Sequence, residues 1–171
     1  MLLYPNLYLK NATEITEEIL INNNIKGIIL DVDNTLLYYD KTMLKNVDTW
    51  CKVLKNKGIK FCIVSNSNNK EKIKMIASKL DIPYISFGMK PLKIGLNKAK
   101  KILKLESPQI AVVGDQIFTD VFGANRSKMF SILVEPLETK DIFITRIKRP
   151  IEEAIIRKYI KQKGETKDVH K

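Results

Sequence analysis

Short apolar runs alternate along this chain with longer stretches in which apolar residues recur every three or four positions. Ile25–Leu30 (IKGIIL) is almost continuously apolar, as expected of a strand covered on both faces of a parallel sheet. Ile59–Val64, Tyr84–Phe87, Ile110–Val113 and Phe130–Val134 read as further strands. Between them, Leu44–Lys57 sets Leu44, Val47, Trp50, Cys51 and Leu54 at helical spacing and stops at Gly58, a suitable residue just past a helix end. Lys70–Leu80 is a predicted helix with Asn68 or Asn69 as N-cap. Another begins at Pro91, in the first turn, and runs to about Leu105. A last helix is expected from Pro150 to about Lys161, before a frayed tail, GETKDVHK.

This rhythm predicts a three-layer, Rossmann-like α/β fold with a mainly parallel, doubly wound central sheet. No repeat, low-complexity run or linker divides the 171 residues, so one domain is expected over 1–171, with the basic tail from about 163. No apolar stretch reaches the roughly 18–20 residues that span a bilayer. The N-terminus lacks the basic start and long apolar middle of a signal peptide, and the expected location is cytoplasmic. Cys51 and Cys62 have no CxxC or histidine partner nearby and read as buried structural thiols.

In open parallel sheets, ligands bind beyond the carboxyl ends of the strands. The first strand ends in Asp31, Asp33, Asn34 and Thr35, the second in Ser65 and Asn66, the third in GMKP with Lys90, and the fourth in GDQIFTD with Asp115, Thr119 and Asp120. Carboxylates, a hydroxyl and an ammonium converging on one edge suit phosphoryl transfer. Phosphate esters repel anionic nucleophiles, so a hard cation bound by carboxylates must offset charge, and Mg²⁺ prefers such oxygen ligands. Asp31 and Asp115 are the obvious metal carboxylates. A carboxylate can also attack phosphorus, giving an aspartyl phosphate. Asp33, two residues on, is placed to protonate the leaving oxygen and then to activate water. Ser65, Asn66 and nearby N–H groups would hold phosphoryl oxygens, with Lys90 supplying positive charge.

DVDNT, the Ser-Asn after the second strand, the lysine before Pro91 and GDQIFTD resemble the four motifs of haloacid dehalogenase (HAD) superfamily phosphatases. GDQIFTDVFGANR is closest to subfamily IIIA. YPNLYLKNATEI, IKGIILDVDNTL and VEPLETKDIFITRIKRPIE together resemble the YqeG-type family, similar to phosphatases acting on phosphatidylglycerophosphate. The resemblance implies a Mg²⁺-dependent phosphatase with Asp31 as nucleophile and Asp33 as general acid and base. It implies metal held by Asp31, the Asp33 carbonyl and Asp115, with Thr35 and Asp120 supporting. Asn34 stands where many HAD enzymes carry glycine.

Only 31 residues separate Asp33 from Ser65 and 24 separate Ser65 from Lys90, too few for an inserted cap. A capless, open site suits a bulky substrate, or a second subunit acting as lid in an oligomer. The net charge of +11 draws anionic partners. No compact Lys/Arg block marks a nucleic-acid site, whereas residues 145–171 hold nine Lys/Arg against four acidic residues. The helix RPIEEAIIRKYIKQK, with Ile151, Ala154, Ile155, Tyr159 and Ile160 at helical spacing, therefore either packs on the sheet or makes peripheral contact with an anionic membrane.

Competing classes fit less well. No GxxxxGK[ST] is present for a nucleotide-binding P-loop, and a receiver domain would lack the DxD pair. The alternatives are a phosphatase of a soluble or macromolecular ester, and a binding module serving ribosome assembly. His170, in the tail, is not expected to be catalytic.

Overall fold

The computed structural model describes residues 1–138 and 143–168; His170 lies outside them. In chain order the elements are β1 (Leu7–Leu9), α1 (Glu17–Asn22), β2 (Gly27–Leu30), α2 (Val47–Asn56), β3 (Lys60–Val64), α3 (Lys70–Leu80), β4 (Tyr84–Ile85) and α4 (Lys93–Leu103). β5 (Ile110–Gly114) follows, then a π-helical turn (Ile117–Val121) running into α5 (Phe122–Arg126), β6 (Phe130–Val134) and α6 (Phe143–Asp168). The six strands form one sheet in the order β1-β6-β5-β2-β3-β4, and every neighbouring pair is parallel. The fold is the expected α/β, Rossmann-like one, with a parallel central sheet.

Successive strand side chains point to opposite faces, and both faces are covered. Ile28, Leu30 and Ile63 pack with Leu20, Val47, Leu54 and Ile76 from α1, α2 and α3. Ile29, Cys62 and Val112 pack on the other side with Leu96, Ala99 and Leu103 of α4 and Ala124 of α5. This two-sided burial is why the central strands read as unbroken apolar runs. Cys51 and Cys62 are both buried free thiols, and burial pushes them up to about 11 and about 12. α2 ends as expected, with Gly58 at φ +88° just beyond it. Asn69 caps α3 by accepting from Lys72 N–H.

Several stretches differ from the sequence reading, and α2 starts at Val47 rather than Leu44. α4 begins at Lys93 rather than Pro91, because Leu92 N–H first closes a turn on the Met89 carbonyl (2.8 Å). β1, α1 and the π turn with α5 were not predicted; at three to six residues each they carry too few positions to display a period. α6 starts at Phe143, takes Pro150 into its interior and continues past Lys161 to Asp168. Lys, Gln and Glu in that tail are good helix formers and favour continuation over fraying. Ile155 and Ile156 of α6 pack with Tyr8 and Leu133, and Tyr159 is buried, whereas Ile151 and Ile160 face solvent.

Candidate active site

The strand register assembles the site. β2 is central, with β3 and β5 on its two sides, and Leu30 is level with both Ile63 and Val113. One residue beyond, Asp31 N–H still donates to the Val113 carbonyl (2.9 Å), so the ladder holds the first aspartate rigidly. The chain then turns sharply. Asn34 adopts φ +61°, and Thr35 and Leu36 N–H groups fold back onto the Val32 carbonyl. Asparagine tolerates that left-handed conformation, which accounts for it in a place glycine often fills.

Lys90 reaches into this edge from the loop before α4. Its Nζ lies 2.7 Å from Asp31 Oδ1 and 2.6 Å from Asp120 Oδ1, and its side chain is 2% exposed. Carboxylate oxygens of Asp31, Asp115 and Asp120 all lie within 4.8 Å of one another. Thr35 is fully buried, and its Oγ1 donates to Asp115 Oδ1 at 3.4 Å. Asp120 also accepts from Gln116 N–H (3.2 Å), which folds the GDQIFTD loop beneath its own first aspartate. That approach needs glycine at 114, since a Cβ there would sit 2.2 Å from the Asp120 carboxyl carbon.

The charges in this cluster do not balance: three carboxyl groups face one ammonium. Burial, and then the charge of Asp120, outweigh Lys90 and push Asp31 up to about 7. Burial, with Asp31 and Asp120, holds Asp115 well above the usual carboxylate range. Burial pulls Lys90 down, but Asp120 and Asp31 more than offset it and leave its ammonium firmly protonated. The donor set is hard oxygen at short mutual distance with a deficit of positive charge, which fits a divalent cation.

Of the residues singled out from sequence, Asp31, Thr35, Lys90, Asp115 and Asp120 come together. Asp33 stands at the rim, half-exposed, with its Oδ1 2.5 Å from Lys72 Nζ. Ser65 is buried at the end of β3 and its Oγ accepts from Ser67 N–H (3.1 Å). Asn66, expected at the phosphate, has its side chain turned to the lysine loop. Its side chain donates to the Lys90 carbonyl (2.8 Å) and accepts from Lys90 N–H (2.7 Å), so it holds the lysine loop in place. Asn125 instead ties down the N-terminal segment through the Leu2 and Tyr4 carbonyls, and Arg126 lies over the Phe122 ring.

Two residues went unrecognised in the sequence. Lys72 lies in the first turn of α3, just past the SNSNN loop that follows β3, and nearness to that loop was the available signal. Glu152 of α6 has no local signal. Its Oε1 accepts from Ile117 N–H (3.0 Å) and Phe118 N–H (3.4 Å), at the start of the π turn. A cavity of about 650 Å³ opens beside Asp33 and Asp115. Tyr8, Tyr38 and Tyr39 line it together with Lys41, Lys72 and Arg149. The adjacent Tyr38 and Tyr39 thus face this cavity.

Known proteins resemble the chain along most of its length. The family profile described as Mitochondrial PGP phosphatase matches residues 1–138. "Probable phosphatase YqeG" of Bacillus subtilis (strain 168) is 40% identical over 161 residues, 94% of this chain and 92% of that protein. Phosphatidylglycerophosphate phosphatase 1, chloroplastic/mitochondrial, of Arabidopsis thaliana is 25% identical over 92% of this chain, which spans about half (48%) of that protein. Among solved structures, the cobalt-bound deoxy-D-mannose-octulosonate 8-phosphate phosphatase of Haemophilus influenzae superposes with a TM-score of 0.56 at 19% identity. That superposition covers 72% of this chain and 75% of the other, and shows a shared fold.

Proposed function

The chain belongs to the mitochondrial PGP phosphatase family and is a HAD-type phosphoric monoester hydrolase; from that premise we propose a Mg²⁺-dependent phosphatase working through an aspartyl phosphate, with phosphatidylglycerophosphate as substrate. The observation that carries the reaction is the buried Asp31–Lys90–Asp120 cluster with Asp115 beside it, at the carboxyl edge of the central strands.

In this mechanism an Asp31 carboxylate oxygen attacks phosphorus. The bond from phosphorus to the ester oxygen breaks, and Asp33 gives its proton to the departing alkoxide. Asp33, now a carboxylate, takes a proton from water as that water attacks the phosphoaspartate. The phosphorus–Asp31 bond breaks, releasing inorganic phosphate and restoring Asp31. Lys90, fixed by Asn66, offsets charge on the phosphoryl oxygens, and the Ser65 hydroxyl donates to one of them. Asp31, the Asp33 carbonyl and Asp115 would hold Mg²⁺, with Asp120 and Thr35 orienting the carboxylates. When bound, the ion neutralises phosphoryl charge and lets the anionic nucleophile approach.

Family membership and the Arabidopsis relative support the lipid substrate. So does the adjoining cavity, whose tyrosine and Lys/Arg walls suit a headgroup with glycerol and a second phosphate. The test is phosphate release from phosphatidylglycerophosphate in vesicles, with Mg²⁺, beside an aryl phosphate, and with Asp31→Asn as blank. Release from the lipid far above the aryl ester, lost in the variant, is the expected result. Turnover of the aryl ester alone would keep the chemistry and move the substrate to a soluble or macromolecular phosphate. Silence on both from folded, Mg²⁺-loaded protein would favour a binding role.

A further inference from the structure

Lys90 turns into the protein, but the large apolar residues around it turn out. Phe87, Met89, Leu92 and Ile94 are 65%, 40%, 45% and 48% exposed. Phe87 and Met89 have φ of +54° and +57°, a conformation that bulky side chains seldom adopt. Such backbone persists only when its surroundings enforce it. Here Phe87 N–H donates to the Ser67 carbonyl (3.1 Å), Gly88 N–H to the Ser65 carbonyl (2.7 Å) and Leu92 N–H to the Met89 carbonyl (2.8 Å). The fold thus fixes apolar side chains in water on the same loop that carries Lys90 into the candidate site, and phosphoryl transfer has no use for them.

The charge around this loop is as uneven as its polarity. Between Asn66 and Leu105, leaving out the buried Lys90, the chain has nine lysines against Glu71 and Asp81, a difference of +7 within a chain of net charge +11. These residues form α3, β4 and α4, at the β4 edge of the sheet. Exposed apolar groups on a lysine-rich edge of the sheet match an anionic bilayer, with apolar tips at the acyl boundary and ammonium groups among the headgroups. Nucleic acid fits less well, because the segment has no arginine and Phe87 is its one exposed aromatic. Helix α6 is also basic, but it has already committed Ile155, Ile156 and Tyr159 to the body of the protein.

We propose that the loop from Phe87 to Ile94 is a membrane-docking element that inserts into anionic bilayers and holds the candidate site against the lipid surface. Docking and lipid hydrolysis are separate properties, so this surface stands even if the hydrolysed ester is soluble.

The test is sedimentation of the full chain with phosphatidylcholine vesicles, and with phosphatidylcholine–phosphatidylglycerol vesicles at roughly 2:1. Wild-type protein should follow only the phosphatidylglycerol-containing vesicles. F87S/L92S should partition about tenfold more weakly or worse, having lost two inserted apolar side chains, while I151S/I160S binds like wild type. Unfolding midpoints near wild type certify that both variants are folded. Phe87→Trp, in a Trp50→Phe background, should shift its emission to the blue on those vesicles. The proposal falls if wild type ignores the vesicles, if F87S/L92S binds undiminished, or if the loss follows I151S/I160S. It falls equally if the loop substitutions weaken only self-association or nucleic-acid binding. Because vesicle binding is read without turnover, its failure is distinguishable from failure of the phosphatase assignment.

Discussion

Lys90 and Asp120 meet at 2.6 Å with both side chains about 2% exposed, and the same ammonium reaches Asp31 at 2.7 Å. One buried cation thus holds two carboxyl groups, with Asp115 close by. Removing one partner of a buried pair leaves an uncompensated charge and costs about 3–5 kcal/mol. Lys90→Met should therefore lower the unfolding midpoint sharply in metal-free protein and abolish turnover. Asp31→Asn should also abolish turnover, yet leave the metal-free midpoint unchanged or raised, because the wild-type carboxylate is already disfavoured there. Calorimetry in a chelator separates the two; equal destabilisation by both variants would remove charge imbalance as the organising feature.

The same imbalance sets a pH signature. Burial first, and then Asp120, raise Asp31 from 3.8 to about 7, and Asp115 is raised for the same leading cause. A carboxyl group with a raised folded pKa keeps the fold stable while protonated. That contribution is lost as pH climbs through the folded value. Metal-free protein should therefore lose stability between about pH 4 and pH 7, while bound Mg²⁺ must displace those protons. The gain in unfolding free energy on adding Mg²⁺ should be small at pH 5.5 and grow towards pH 8, approaching about 2.7 kcal/mol at a hundred times the dissociation constant. An increment independent of pH would sink this account.

How far the site could be read in advance follows from the same geometry. Asp31, Ser65, Lys90 and Asp115 lie at or just beyond the ends of short apolar runs, and a parallel sheet brings such ends together, so sequence order alone located them. Asp33 was legible as a member of the pair, but its contact with Lys72 depends on how α3 is angled over the edge. Asn66 was placed correctly at the strand end, but its side-chain hold on the Lys90 backbone was not legible, since a side-chain amide offers no clue in sequence to which nearby group it will bind. Glu152 was invisible: it lies 35 positions along the chain from the Ile117 N–H it accepts from, and α6 itself was expected to be shorter. The strongly periodic or strongly apolar segments were predictable, and the short elements β1, α1 and α5 were not, because their order comes from tertiary contact rather than local pattern.

Gly114 tests whether the close approach beneath the site is required. Its replacement by alanine puts a Cβ 2.2 Å from the Asp120 carboxyl carbon, so Asp120 has to move. Overpacking of this kind costs about 1–3 kcal/mol, and displacing Asp120 from Lys90 should also cut turnover. Gly58 is the control: a Cβ added there would meet nothing within 4 Å, and only its φ of +88° resists substitution. Gly58→Ala should cost about 1 kcal/mol in urea unfolding and leave turnover intact. If both substitutions spare activity equally, Asp120 has no part in the site.

Glu152 links the last helix to the candidate site. Its Oε1 accepts from two N–H groups at the start of the π turn, within three residues of Asp115, and burial raises its pKa. A side chain from α6 therefore fixes the loop that presents Asp115 and Asp120, which gives the helix a role in positioning these two carboxyl groups. Glu152→Ala leaves two backbone donors without this acceptor, a loss of about 1–3 kcal/mol. Glu152→Gln keeps a carbonyl oxygen for the same donors and should lose less. If the link matters to the site, Glu152→Ala should weaken the Mg²⁺ dependence of turnover more than it weakens binding of an aryl phosphate, and Glu152→Gln should restore most of it. Equal losses in both quantities, unrescued by glutamine, would reduce Glu152 to a purely structural clamp.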